Sequence, residues 1–307
     1  MDTARIWMES YHGWPHCVWM ENDRLRLIVT TDVGPRIICL QTRIGENMFH
    51  QFPEEQGRTG TAEWRNYGGH RLWHSPQMGN RPNQPDNDPV QWGVSQNMLW
   101  LVAPLEGKTL VQKRMEITLF PDEPRVHVRH FIFNRSLWPV QLAPWALSVM
   151  HAGGVEVLPV PREDTLYMPS FAVSFWPWTQ PDDPRFIWGK RYFLLRHDPQ
   201  NTRWFKIGYR NTEGWGAYFY GNCMFVKTAM ECPGKRYPDY GSTFETYTDE
   251  RFVELETLGA LETVEPEAFT QHDETWFLVE GIAAPEGQED IERRIEPVIQ
   301  SLISRKR

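Results

Sequence analysis

The densest group of chemically capable side chains in this 307-residue chain is Trp64-Arg65-Asn66-Tyr67-Gly68-Gly69-His70-Arg71-Leu72-Trp73-His74-Ser75-Pro76-Gln77. Flat aromatic faces beside planar donors and side-chain amides are the groups that recognise sugars and carboxylates. Gly68-Gly69 lets the backbone turn or approach another group closely, because glycine reaches positive φ without a Cβ clash. The competing reading is a long surface loop whose aromatics pack on a sheet. So many unlike polar groups beside tryptophan favour a binding role, which makes His70, Arg71, Trp73, His74 and Gln77 candidate ligand contacts.

Metal chemistry is the first alternative to test. On a helix, His70 and His74 would share a face, as zinc ligands do. Gly68-Gly69 and Pro76 argue against a helix, and in extended chain the two rings lie roughly 13 Å apart at ~3.3 Å per residue. His12, His16 and Cys17 are interrupted by Gly13 and Pro15 and make an equally poor ligand set, so no metal is expected. The sequence also lacks a phosphate loop and the G-x-G-x-x-G and G-x-S-x-G elements, which removes the simple nucleotide-binding and serine-hydrolase readings.

Acid–base chemistry has better candidates near the end of the chain. Phe252-Val253-Glu254-Leu255-Glu256-Thr257-Leu258-Gly259 puts Glu254 and Glu256 on one strand face, with Val253, Leu255 and Thr257 opposite. If the apolar face covers a core, the glutamates point to solvent or into a cleft. A carboxylate facing a histidine across a pocket can serve as base to its acid. The turn Tyr237-Pro238-Asp239-Tyr240-Gly241 leads into Phe244-Glu245-Thr246-Tyr247, adding Asp239 and Glu245 to the group.

The elements that must position these residues read as β-strands. Leu25, Leu27 and Val29 alternate onto one face, Asp32-Val33-Gly34-Pro35 turns, and Arg36 opens the next strand. Residues 51–97, rich in Gly, Pro, Asn and Gln, read as a long functional loop. Strands return over 98–103, 109–120, 125–133 and 140–150, the last ending at His151-Ala152-Gly153-Gly154. Residues 159–190 carry six prolines and the aromatics Phe171, Phe175, Trp176, Trp178, Phe186 and Trp188, suited to an irregular wall over a site. Short strands follow over 203–209, 215–220, 224–228, 243–248, 252–258 and 274–281, spaced as in a sandwich or barrel. Residues 288–307 form a helical tail, with apolar residues from Ile291 to Ile303 at helical spacing and Pro297 kinking it or starting a second helix. The whole of 1–307 reads as one antiparallel β domain.

Composition narrows the partners. The formal charge is −8 with no basic stripe, which argues against nucleic acid. The 15 tryptophans suit stacking on sugar rings. No stretch approaches the ~20 apolar residues that span a bilayer, and Met1 to Glu9 has no apolar signal region. Cys17, Cys39, Cys223 and Cys232 are scattered and read as reduced, buried thiols in a cytoplasmic protein.

Three landmarks make the chain similar to the galactose mutarotase-like (aldose 1-epimerase-like) superfamily, and closest to an uncharacterised bacterial branch of it. They are Gly68-Gly69-His70-Arg71-Leu72-Trp73, the Asn134 to Gly154 run through Trp145, and Val253-Glu254-Leu255-Glu256-Thr257. The resemblance covers most of residues 20–280. It implies an all-β antiparallel supersandwich and a cofactor-free aldose mutarotase or epimerase acting on a small carbohydrate. It places Glu256 as the base that takes the anomeric hydroxyl proton. His151 falls near the acid that protonates the ring oxygen, although Ala152-Gly153-Gly154 stands where epimerases carry an aromatic. His70 matches the region of a second sugar-binding histidine, and Arg36 is placed to bind a substrate hydroxyl or acid group. A non-catalytic carbohydrate-binding sandwich and a lyase-like carbohydrate enzyme are the alternatives, because fold does not fix function. The sugar and the oligomeric state are left open.

Overall fold

The computed structural model describes residues 4–77, 83–163 and 165–304. The early strands are β1 (Arg5–Tyr11), β2 (Trp14–Glu21), β3 (Leu25–Thr30), β4 (Arg36–Thr42), β5 (Gly69–Ser75), β6 (Gln91–Ser95) and β7 (Met98–Val102). The middle of the chain supplies β8 (Val111–Leu119), β9 (Arg125–Asn134), β10 (Val140–Met150), β11 (Val155–Pro159), β12 (Val173–Phe175), β13 (Phe186–Trp188) and β14 (Tyr192–Arg196). The last third gives β15 (Phe205–Tyr209), β16 (Trp215–Tyr220), β17 (Cys223–Thr228), β18 (Phe244–Thr248), β19 (Val253–Leu258), β20 (Glu262–Val264) and β21 (Phe269–Glu280).

These strands form two antiparallel sheets. The first runs β1-β2-β3-β4-β5-β10-β19-β18-β15-β12, with β20 also paired to β10. The second runs β13-β14-β11-β16-β17-β21-β9-β8-β7-β6. Strand alternation sends Leu25, Leu27, Leu72, Ile207, Val253 and Leu255 from the first sheet toward Val126, Val128, Ile132, Phe225 and Leu278 of the second, and together they make the main core.

The outer face of the second sheet is covered by the C-terminal segment. Its π-type turn Ile291–Ile295 runs without a break into the helix Glu296–Ser304, and Pro297, which has no N–H to donate to the preceding turn, falls just after that wider turn. Ile291, Ile295 and Ile299 are fully buried against Val157, Leu194, Ala217 and Val226, each contributing about 1.5–3 kcal/mol of apolar burial. Among the described residues, the outer face of the first sheet carries no long helix, only short helical turns such as Pro238–Gly241. Irregular segments lie over it instead.

Several expectations change at this level. The Gly69–Ser75 stretch is a central strand rather than part of a loop, and β6 also falls inside the expected loop. It escapes the usual alternation because both of its faces are buried and both carry polar groups. β12 and β13 lie within the segment expected to be irregular, and β1, β2, β11 and β14 add to the strands legible in the sequence. Three cysteines are buried free thiols, but Cys232 is exposed.

Candidate functional site

The register of the first sheet decides which side chains share its outer face. Arg71 pairs with Arg36 on β4 and with Leu147 on β10, and Trp73 pairs with Trp145. Leu147 pairs with Glu256 and Val149 with Glu254. Glu245 lies opposite Glu256, Tyr247 opposite Glu254, and Lys206 opposite Tyr247. Directly paired residues project to the same side. One face therefore gathers Arg36, Arg71, Trp73, Trp145, Glu254, Glu256, Glu245 and Lys206 from six neighbouring strands.

Contacts on that face are short and charge-assisted. Lys206 Nζ donates to Glu256 Oε2 at 2.6 Å and lies 2.8 Å from Glu245 Oε2. Its ammonium also sits 4.6 Å from the centre of the Trp145 ring and 4.8 Å from that of Trp176. Trp145 Nε1 donates to Glu256 Oε2 at 2.6 Å. Arg71 Nη2 donates to Glu254 Oε1 at 3.2 Å, and its guanidinium stacks 4.1 Å over Trp73. Arg36 donates to Asp86 Oδ2 at 2.6 Å and to the Gly68 carbonyl at 2.5 Å.

Irregular segments roof this face. Trp64 leans on both Arg71 and Trp73, Tyr67 lies under Arg36, and Trp176 lies against Lys206. The turn at Asp239, where Asp239 and Tyr240 take positive φ, is tied down by Ser75 Oγ donating to Asp239 Oδ2 at 2.9 Å. Glu256 is consequently 0% exposed.

Burial sets the electrostatics. It pushes Glu254 up to about 7, against the pull of Arg71. Burial also raises Glu245 well above the carboxylate range despite Lys206. For Lys206 burial acts downward, but Glu245 and Glu256 outweigh it and hold the ammonium charged. The face thus sets Glu254, a carboxyl partly protonated near neutrality, two residues from Glu256, whose Oε2 meets the Lys206 ammonium.

Several buried polar atoms on this face have no hydrogen-bond partner among the described residues: Arg71 Nε and Nη1, Trp73 Nε1, Glu245 Oε1 and Glu256 Oε1. An unpaired buried donor or acceptor costs on the order of 1–3 kcal/mol, so their collection on one face is characteristic of a binding surface rather than of a core.

The candidate histidines lie elsewhere. His70 and His74 alternate with Arg71 and Trp73 on β5, so they face the second sheet. His70 Nε2 lies 2.8 Å from His130 Nε2, and its Nδ1 is 2.8 Å from Ser148 Oγ. His74 is buried on the same side as His70, with its backbone held by the Asn83 amide. His151 stacks on Tyr220 with ring centres 3.9 Å apart. It follows β10 four residues beyond Leu147, the partner of Glu256, which puts it roughly 13 Å away at ~3.3 Å per residue. The structure therefore does not bring either expected acid histidine to Glu256. Gln77 is exposed just beyond β5.

His70 belongs to a network between the sheets. Lys227 Nζ lies 3.0 Å from Glu274 Oε1 and donates to the Leu255 carbonyl at 3.0 Å. Trp276 Nε1 donates to Glu274 Oε2 at 2.7 Å, and the Thr257 hydroxyl donates to Glu274 Oε1. Burial would raise Glu274, but Lys227 and the surrounding histidines hold it far below the usual carboxylate range. Burial holds His70 and His130 low and takes His272 down to about 4. His70, His130 and Glu274 have ligand atoms within 4.8 Å of one another, as a metal would require. The residues do not fit one: three donors already occupy Glu274, Lys227 already supplies the positive charge, and the two imidazoles can share a hydrogen bond. This is a structural network.

Sequence reasoning missed Lys206 and Asp86, whereas Trp176 belongs to the 159–190 aromatic wall expected over a site. For Lys206 a signal exists, since Phe205-Lys206-Ile207-Gly208-Tyr209 sets one lysine inside a fully buried strand.

No protein-family model matches the chain, and no curated protein matches it in sequence. Solved structures do match. A galactose mutarotase-like protein from Lactobacillus casei superposes with a TM-score of 0.58 at 11% identity, covering 86% of this chain and 100% of that one. Another from Clostridium acetobutylicum gives a TM-score of 0.56 at 9% identity over 91% of this chain and 99% of that one. A TPR-domain containing protein from Parabacteroides distasonis gives 0.57 at 12% identity over 89% of this chain, which spans only 49% of that larger protein. Two stacked antiparallel sheets, the late Glu254–Glu256 strand at the middle of one of them and these superpositions agree: the chain has the galactose mutarotase-like fold.

Proposed function

We propose that the outer face of the first sheet binds a carbohydrate and interconverts its anomers without a cofactor. The observation that carries this reading is the set of buried, unpartnered polar atoms of Arg71, Trp73, Glu245 and Glu256 beside the rings of Trp73 and Trp145. Donors, acceptors and flat apolar faces in one place match the hydroxyls and ring faces of a sugar. Glu256 accepts the anomeric hydroxyl proton through Oε1. Glu254, kept partly protonated by burial, returns a proton to the ring oxygen, the ring opens, and rotation before reclosure inverts C1. Each transfer is typically worth about 10²–10⁴-fold. Glu254 takes the acid role here because, among the described residues, the hydrogen-bond partners of Glu256 are Lys206 and Trp145 and not a histidine.

The test is anomer exchange of a panel of neutral aldoses, followed by polarimetry or NMR. Glu256→Gln should abolish acceleration and keep binding, since the amide preserves shape but cannot take the proton. A wild-type protein that accelerates no exchange removes the isomerase. The second reading, a non-catalytic binding module, is favoured by one detail: both Lys206 and Trp145 already donate to Glu256 Oε2. Binding without exchange selects it. The proposal includes a reducing, cytoplasmic setting, supported by four free cysteines. No helix among the described residues is long and apolar enough to cross a membrane.

A further inference from the structure

The tryptophans of the outer face form a band that crosses the strands. Trp64 and Trp73 have ring centres 6.5 Å apart, and Trp73 and Trp145 are 5.8 Å apart. Lys206 then bridges Trp145 to Trp176. Two residues on from Trp176 stands Trp178, and two residues before Lys206 stands Trp204. Their rings meet edge to face at 6.1 Å. From β5 to β15 the band spans four strand spacings, about 19 Å at ~4.8 Å each, several times the width of one pyranose ring.

The outer end of this band is built differently from its centre. Trp73 and Trp145 are buried, whereas Trp178 is 44% exposed and Trp204 56% exposed. Two large aromatics packed on each other and left open make a contiguous apolar patch, the kind of surface that recognition sites use. This pair is also held in place. Thr179 Oγ1 donates to the Lys206 carbonyl at 2.6 Å and accepts from the Lys206 backbone N–H at 3.0 Å, which ties the Trp176–Trp178 segment to β15. Beside it, Arg203 Nη1 donates to Gln180 Oε1 at 2.8 Å, so a guanidinium and an amide border the two rings. These are the same group types that the centre of the site presents.

At the buried centre Arg36, Arg71 and Lys206 each have an acidic partner, in Asp86, Glu254, and Glu245 with Glu256. At the outer end the Arg203 guanidinium is bonded to the Gln180 amide instead, which keeps planar donors beside the exposed rings.

We infer that the site takes an oligosaccharide rather than a monosaccharide, with its reducing-end unit at Glu256 and the next units stacked on Trp176 and on the Trp178–Trp204 pair. This rests on the carbohydrate reading above and extends it. The bound chain leaves the buried centre across Trp176, and the exposed pair provides an outer subsite.

Ladders of one to four units in gluco-, galacto- and xylo-configuration, titrated by calorimetry against the full chain, test the inference. Affinity for one ladder should rise about tenfold or more between one and three units. Trp178→Ala and Trp204→Ala, both at exposed positions, should erase that gain, roughly a tenfold loss for each hot-spot aromatic, and leave monosaccharide affinity unchanged. Equal affinity at every length, or variants that bind the trisaccharide like the wild type, would overturn the outer subsite while leaving the sugar site standing. If these substitutions change the oligomeric state and not the saccharide affinity, the pair is a protein contact and the inference fails. If no saccharide of any length binds, the carbohydrate reading fails and takes this inference with it.

Discussion

Glu254 and Glu256 are two residues apart on one strand, yet their neighbours give them different surroundings. Glu256 has an ammonium at 2.6 Å, whereas Glu254 meets a guanidinium at 3.2 Å that is itself stacked on Trp73 and shared with it. Burial takes Glu254 to about 7, so its acid form is present below that pH and disappears above it. The rate of anomer exchange should therefore fall as pH rises through 7. Glu254→Gln should remove this alkaline limb together with most of the activity, because an amide cannot give up a proton. A flat profile from pH 6 to 9 would take the acid role away from Glu254. A readout of sugar binding alongside separates loss of chemistry from loss of the site.

β5 carries two tasks at alternate positions. Arg71 and Trp73 face the outer site, while His70, Leu72 and His74 face the second sheet. The strand starts at Gly69, whose φ is +71°. A Cβ there would lie 2.3 Å from the Ile37 carbonyl oxygen, a backbone atom that cannot step aside. Gly69→Ala should cost roughly 2–5 kcal/mol, combining the left-handed penalty with overpacking, measured as a shift of the urea midpoint at constant m. A loss below 0.5 kcal/mol would show that β4 moves aside freely. The sequence singled out this stretch for its side chains, and the structure sets Arg71 and Trp73 on the face that carries Glu254 and Glu256. Its strand character was not, because hydrophobic alternation marks a strand with one wet face and this strand has none. The late strand was easier. Val253 and Leu255 alternate with Glu254 and Glu256, and that pattern alone located both faces. The histidines were misplaced for a related reason: residue type shows that an imidazole is near the site but not which side of the sheet it occupies, and His70 and Arg71 are adjacent yet opposed.

Across the molecule, the two sheets are joined by polar groups as well as by the apolar core. Thr246 Oγ1 on β18 donates to Glu156 Oε2 on β11 at 2.6 Å, and burial raises Glu156 to about 8. The folded protein thus holds this carboxyl neutral over a range where the unfolded chain ionises it. A group raised on folding contributes stability at low pH and loses it as pH rises, here from about 4.5 to 8. Glu156→Gln should remove that loss. The variant should gain on the wild type by up to about 1.4 kcal/mol per pH unit across this window, read from paired denaturant titrations. A difference independent of pH would contradict the neutral state. The roof over the outer face has a kinetic counterpart. With Glu256 fully shielded and Trp64, Tyr67 and Trp176 resting on the face, the proposed sugar would reach the centre only after these segments lift. At low sugar concentration the relaxation rate seen in stopped-flow tryptophan fluorescence should rise with concentration. At high concentration it should level off at the opening rate, which belongs to the protein and is the same for every sugar that binds. The roof then acts as a clock for the site, and loosening it, for example by Trp64→Ala, should raise the plateau without changing which sugars are chosen.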